Sequence, residues 1–234
     1  DPASMNHLQK DDKWEKTMTS VVAMAKAIDM ISNVNLVISF RSTQDNGGYR
    51  RNSGENGNLL FYTEGVNVWN KNHQLMPNGT GLLGNESATQ SSIIIPKPGS
   101  DEIYYIFTLD LEAGPNGLNY SEVDMNLDNG LGDITTNKNI PLHSPTTEKI
   151  TATFHKNNKD IWVVTHPYNS SDFYAYLITQ NGVNTTPVIS NSGSMLNIGG
   201  LAFDAIGQMK ISPNGKMIAM LEIWLTILRI MQTL

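Results

Sequence analysis

The sequence predicts a mainly β chain: a partial β-propeller of about three to four four-stranded antiparallel blades, preceded by an N-terminal α-helix. Three observations carry the prediction: short apolar runs ending on Thr63, Thr108 and Thr165, turn residues ahead of each run, and a near-constant step between them. "LLFYT" follows "ENGN", "YYIFT" follows "PGSDE" and "IWVVT" follows "NNKD". The steps are 45 and 57 residues, and Met220, in the strand–turn–strand stretch "MKISPNGKMIAM", lies a further 55 on. Periods of this size, each holding several short strands, characterise propeller blades. A β-sandwich also uses short strands and Gly/Asn turns, and stands as the alternative.

The N-terminal segment, residues 1–50, reads differently from the rest. Asp12 and Glu15 have capping-box spacing. Trp14, Met18, Val21, Val22, Ala25, Ile28 and Ile31 then recur at helical spacing, which predicts one helix from about Asp12 to Ile31 with its apolar stripe on the core. "VNLVISF" (34–40) reads as a buried strand. Over residues 12–40 this unit resembles the first helix and second strand of a von Willebrand A domain. The Asp-x-Ser-x-Ser metal motif of that family is missing, so ion-dependent adhesion is not implied. Asp1–Ser4, ahead of Met5, reads as a remnant of expression-vector sequence, and the whole segment as non-native or fused.

Residues 51–234 make the propeller-like domain. Asn56-Gly57 leads into Leu59, Leu60, Phe61 and Tyr62; Glu64-Gly65 leads into Val66, Val68 and Trp69. Paired turns around apolar runs are a hairpin signal. The next unit offers "SIIIP", "IYYIFTLD", "NYSEVDM" and "NKNIPL". The one after it offers "ITATFH" (150–155), "IWVVTH" (161–166), "DFYAYLIT" (172–179) and "TPVISN" (186–191). The second strand of this unit is apolar almost throughout, as a strand buried between sheets should be. The third alternates, with Phe173, Ala175 and Leu177 on one face and Tyr174, Tyr176 and Ile178 on the other. The tail "LEIWLTILRIMQTL" is apolar on nearly every side, and too short to span a bilayer as a helix.

Composition narrows the function classes. Hydrophobic residues are 39% and charged residues 16%, below the roughly 25% that is typical. Net charge is −6 and the pI is about 5.3, so nucleic acid is not an expected partner. There is no cysteine, which excludes disulfides and Cys-ligated metal. The first residues are polar and charged and form no secretory leader.

From Glu55 to Met220 the stretches "ENGNLLFYTEGVNVWNKNHQLMPNGTGLLGN", "SSIIIPKPGSDEIYYIFT", "PNGLNYSEVDMNLDNGLGDI" and "KISPNGKMIAM" resemble, in order and spacing, the N-terminal propeller region of large secreted Bacteroidetes proteins. Those proteins typically end in a type IX secretion, type B sorting domain. The resemblance implies a secreted or cell-surface propeller and carries no catalytic residues with it. Both ends depart from the pattern. "DNGGYRRNSG" is polar where an apolar inner strand should stand, and the apolar tail replaces a Gly/Asp turn. These departures point to truncation, fusion or a shifted reading frame.

Chemistry is sparsely marked, and no catalytic, cofactor or metal residue is nominated. Asp124, Asn126, Asp128 and Asp133 in "DMNLDNGLGD" place oxygens at alternate positions, as calcium loops do. Gly130 falls one place late and Thr135 stands where the closing Glu should, so an ordinary interstrand turn is the better reading. His143, His155 and His166 would have to converge to bind zinc. No Gly-x-Ser-x-Gly or Gly-x-Gly-x-x-Gly pattern occurs. Sequons starting at Asn78, Asn85, Asn119, Asn169 and Asn184 read as chance in an Asn- and Thr-rich chain. The first functional expectation is a non-enzymatic binding or scaffold module, with Trp69, Tyr168 and Tyr174 free to stack on sugars or peptides. A truncated or frame-shifted product without selected function comes second. A glycan-degrading enzyme comes third, since no carboxylate pair is marked. Unpaired edges and the tail from Leu221 to Leu234 lead to an expectation of self-association, or of the tail burying against the N-terminal helix.

Overall fold

The computed structural model describes residues 59–192, 195, 202–212 and 214–222. The expected helix over Asp12–Ile31, the strand over 34–40, the Asn56-Gly57 turn and the tail beyond Glu222 lie outside them. The described part is mainly β, and no element in it is a helix longer than a single 3-10 turn. No helix among the described residues is long and apolar enough to cross a membrane.

The described residues open with a hairpin, β1 (Phe61–Thr63) against β2 (Val68–Asn70). Its turn is built by side chains. Thr63 Oγ1 accepts from Gly65 N at 2.9 Å and donates to Asn67 O at 2.6 Å. Glu64 Oε1 accepts from the backbone and side chain of Asn67. Gly65 has φ +102°, a conformation that L side chains rarely adopt.

The first large sheet comprises β3 (Ser92–Pro96), β4 (Ile103–Leu109), β5 (Leu118–Asp124), β6 (Asp133–Ile134) and β7 (Ile140–His143). Its order is β3-β4-β5-β6, with β7 also paired to β5. The second comprises β8 (Thr146–Phe154), β9 (Ile161–Pro167), β10 (Asp172–Thr179), β11 (Gly182–Val183) and β12 (Val188–Asn191). Its order is β8-β9-β10-β11, with β12 also paired to β10. The two sheets therefore share one antiparallel order, down to an outer position made of two short pieces. In each, the earlier piece pairs with the far end of the third strand and the later piece with its beginning. A further hairpin, β13 (Gly207–Ile211) against β14 (Ile218–Glu222), follows. The sequence predicts single outer strands over 137–142 and 186–191. The structure places one strand in each range, β7 and β12, and adds a separate two-residue piece ahead of each, β6 and β11, set apart by the Thr- and Asn-rich turns 135–139 and 184–187.

Burial explains the stacking. The side chains of β4 point alternately to two apolar clusters. Tyr105, Phe107 and Leu109 join Ile95 and Leu118 against Ile150, Ile161, Val163, Tyr176 and Ile178 of the second sheet. Tyr104 and Ile106 join Ile94, Val123, Met125 and Ile134 against Phe61, Val68, Met76 and Leu82 of the hairpin and its following loop. The first large sheet is thus covered on both faces. That is why "IYYIFTL" is apolar without alternation. Each such side chain contributes about 1.5–3 kcal/mol on leaving water. The described residues close no ring or barrel, so the architecture stands as stacked antiparallel sheets.

One strand begins earlier than expected. The pattern places its start at Ile150, whereas β8 starts at Thr146. The added residues, Thr146, Thr147, Glu148 and Lys149, are all fully buried. Polar side chains there read as loop in the sequence, and tertiary partners make them strand.

Candidate ligand-binding site

Of the aromatic residues expected at the surface, Tyr174 is elsewhere. It packs on the cluster between the two large sheets, with its ring 5.0 Å from that of His143. Tyr168 is half-buried just after β9. Trp69, also half-buried, lies on the outward face of the first hairpin. Alternation puts Phe61, Thr63, Val68 and Asn70 inside and the cross-strand pair Tyr62 and Trp69 outside. The two rings stack at 5.3 Å with an interplanar angle of 16°.

The loop after β2 fixes the edge of this stack. Asn70, 1% exposed, accepts through Oδ1 from Asn72 N at 2.9 Å and Gln74 N at 3.2 Å. Asn70 N donates to Gln74 O and His73 N to Asn70 O. Trp69 bridges to Leu75. His73 is held at φ +61°, a left-handed conformation that costs a non-glycine residue about 1–2 kcal/mol. There its ring lies 5.7 Å from Tyr62, with Nδ1 3.2 Å from the phenol oxygen. The side chains of Lys71, Asn72, His73, Gln74 and Leu75 are exposed. Among the described residues the side-chain amides of Asn72 and Gln74 make no hydrogen bond.

The residues weighed for metals do not gather. Asp124 Oδ1 accepts from Asn126 N and Nδ2. Asp128 lies in a tight turn at φ +49°. Asp133 is buried and accepts from Asn78 N, Asn78 Nδ2 and Ile134 N, which ties the loop after the first hairpin to the first large sheet. His155 accepts a turn bond from Asn157 N, and His166 lies edge-on to Phe173. No group of three His, Cys, Asp or Glu side chains able to hold a metal ion occurs among the described residues.

Burial perturbs His143 strongly, lowering its pKa from 6.5 to about 4, so the ring is neutral near pH 7. Nδ1 lies 2.9 Å from Tyr176 Oη, while Nε2 is buried with no hydrogen-bond partner among the described residues. The tautomer protonated at Nδ1 leaves only a lone pair unmatched; the other would bury a lone N–H, which costs more.

Sequence reasoning missed a network at the start of β8. Glu148 accepts from Thr89 N at 2.6 Å, Thr89 Oγ1 at 2.7 Å and Glu112 N at 2.9 Å. Lys149 Nζ donates to the carbonyls of Asp204 and Ala205. Nearby, the Gln90 side chain bridges two strands: Oε1 accepts from Ile150 N and Met209 N. Below it lies a cleft of about 120 Å³ lined by Ile93, Ile150, Ala152, Met209, Lys210 and Ile211.

No protein-family model matches this chain, no curated protein matches it in sequence, and no solved structure matches it.

Proposed function

We propose that the chain is a non-enzymatic binding module of propeller type, from a secreted or cell-surface bacterial protein. The observation that carries the binding reading is the Tyr62–Trp69 stack, presented on an outward strand face beside a loop whose backbone is already hydrogen-bonded. The buried charged groups Glu148, Lys149 and Asp133, in contrast, are consumed in tying strands to loops and turns: Glu148 to Thr89 and Glu112, Lys149 to Asp204 and Ala205, and Asp133 to Asn78. The propeller reading is supported by the common strand order of the two large sheets and by the covering of the first on both faces. A sandwich of two sheets would leave one face of each to water. Secretion rests on the sequence resemblance to the Bacteroidetes propeller regions.

The test is retention without turnover. The protein is run through native gels containing soluble polysaccharides, with reducing ends and peptide products measured in parallel. Retardation with constant product levels is the expected result. Hydrolysis abolished by changing one carboxylate would overturn the reading in favour of a glycan-degrading enzyme. Migration unaltered by every polysaccharide and every peptide tried would remove its basis.

A further inference from the structure

We propose that Tyr62, Trp69 and His73, with the side-chain amides of Asn72 and Gln74, form a subsite for one pyranose ring of a neutral glycan. The proposal deepens the binding-module reading and rests on it.

The two aromatic rings stack nearly parallel, 16° apart with centroids at 5.3 Å, so each covers part of one face of the other and the pair offers its remaining faces and edges. A cross-strand aromatic pair also stabilises a hairpin by itself, so the stack alone would carry no ligand. Three further features separate this pair from a purely structural one. His73 is kept in a strained left-handed conformation at an exposed position, beside the phenol of Tyr62. Asn70 spends a buried side chain on holding the same loop in place. The loop then presents two amides and the imidazole Nε2, none of them engaged among the described residues.

The chemistry of this set selects a class of ligand. A pyranose has an apolar face of axial C–H groups and a rim of hydroxyls. The aromatic surface suits the face. Amide and imidazole groups donate to and accept from hydroxyls without needing a charge. Between Trp69 and Leu75 the one charged side chain is Lys71, so no cluster of cations selects an acidic sugar or a phosphate. A preorganised loop also limits the entropy lost on binding.

The experiment is a titration of the whole chain with cellohexaose and with maltohexaose, followed by tryptophan fluorescence and by amide and indole NMR shifts. Saturable shifts confined to residues 62–75 are expected with one of the two. Trp69→Ala should weaken binding at least tenfold, whereas Trp69→Phe, which keeps a ring, should weaken it only about threefold. His73→Gly keeps the left-handed backbone and removes the imidazole. It should weaken binding severalfold while leaving the fold intact by circular dichroism. No saturable shift with either sugar up to about 10 mM would overturn the subsite. So would binding that is indifferent to His73→Gly and Trp69→Ala, or preferential binding of a hexaproline peptide to the same residues. Polysaccharide retention that survives these variants would leave the module reading standing and overturn this site alone.

Discussion

His143 is the residue whose titration should be visible in the stability of the whole chain. Its pKa is lowered in the folded state by burial, so the unfolded chain takes up the proton first as pH falls. Stability from this group is complete above pH 6.5 and is lost as pH drops from 6.5 towards about 4. The span corresponds to about 3 kcal/mol at most. Urea denaturation from pH 7.5 to 4 should therefore show a steeper loss for the natural chain than for His143→Gln, in which no imidazole titrates. Parallel pH profiles would refute the assignment. The network at β8 gives a second residue-scale expectation. Glu148 receives three hydrogen bonds, all from donors. Glu148→Gln turns an NH2 group towards an N–H and removes the charge. A loss of about 2–3 kcal/mol is expected, read as a lower urea midpoint at unchanged slope.

At the scale of the element, the first hairpin depends on its turn. Gly65→Ala would place a Cβ about 3.1 Å from the Ser91 carbonyl oxygen while holding alanine at φ +102°. A cost of about 1–3 kcal/mol is expected from backbone strain alone, measurable by thermal unfolding. His73→Gly is the opposite case. Glycine adopts φ +61° without penalty, so the change should stay within about 1 kcal/mol of neutral despite the lost phenol contact. A large destabilisation would mean that the imidazole holds the loop rather than awaiting a ligand. The elements themselves were legible to different degrees. "SIIIP" and "DFYAYLIT" coincide with β3 and β10, because turn residues bound both and the apolar pattern matches the pleat. The start of β8 was not legible, since "TTEK" becomes strand through partners 16 to 59 residues away.

At the scale of the molecule, the edges govern behaviour. Val188 and Ile189 on β12 are 56% and 55% exposed, on a strand whose burial pattern is exposed throughout. Exposed apolar edges template pairing with other chains. Light scattering should accordingly show concentration-dependent association, reduced by Ile189→Lys, which places a charge on the edge. Size that does not vary with concentration would refute this. The stacking of sheets was partly legible, because "IWVVTH", apolar almost throughout, predicts burial between sheets, and β9 is buried along nearly its whole length. The sequence nominates Trp69, Tyr168 and Tyr174 alike as stacking residues, and of the three Trp69 alone belongs to the candidate site. Its partners Tyr62 and His73 were not legible, because their meeting depends on cross-strand register and on a left-handed backbone at His73.

By itself the sequence determined the β class, the positions of most strands and a set of aromatic candidates that includes Trp69. Those properties are local: they follow from period-two alternation, from Gly, Asn and Pro turn chemistry, and from apolar runs that must be buried. Tertiary structure decided which faces are covered, which charged side chains enter the core and which aromatic rings stay outside. Tyr174 and Trp69 look alike in the sequence, yet one packs between two sheets and the other faces outward. Glu148 and Lys149 look like surface residues, yet both are fully buried. The physical reason is the same in each case. Burial depends on what another segment brings into contact, and a buried charge is stable only where distant backbone groups converge to satisfy it.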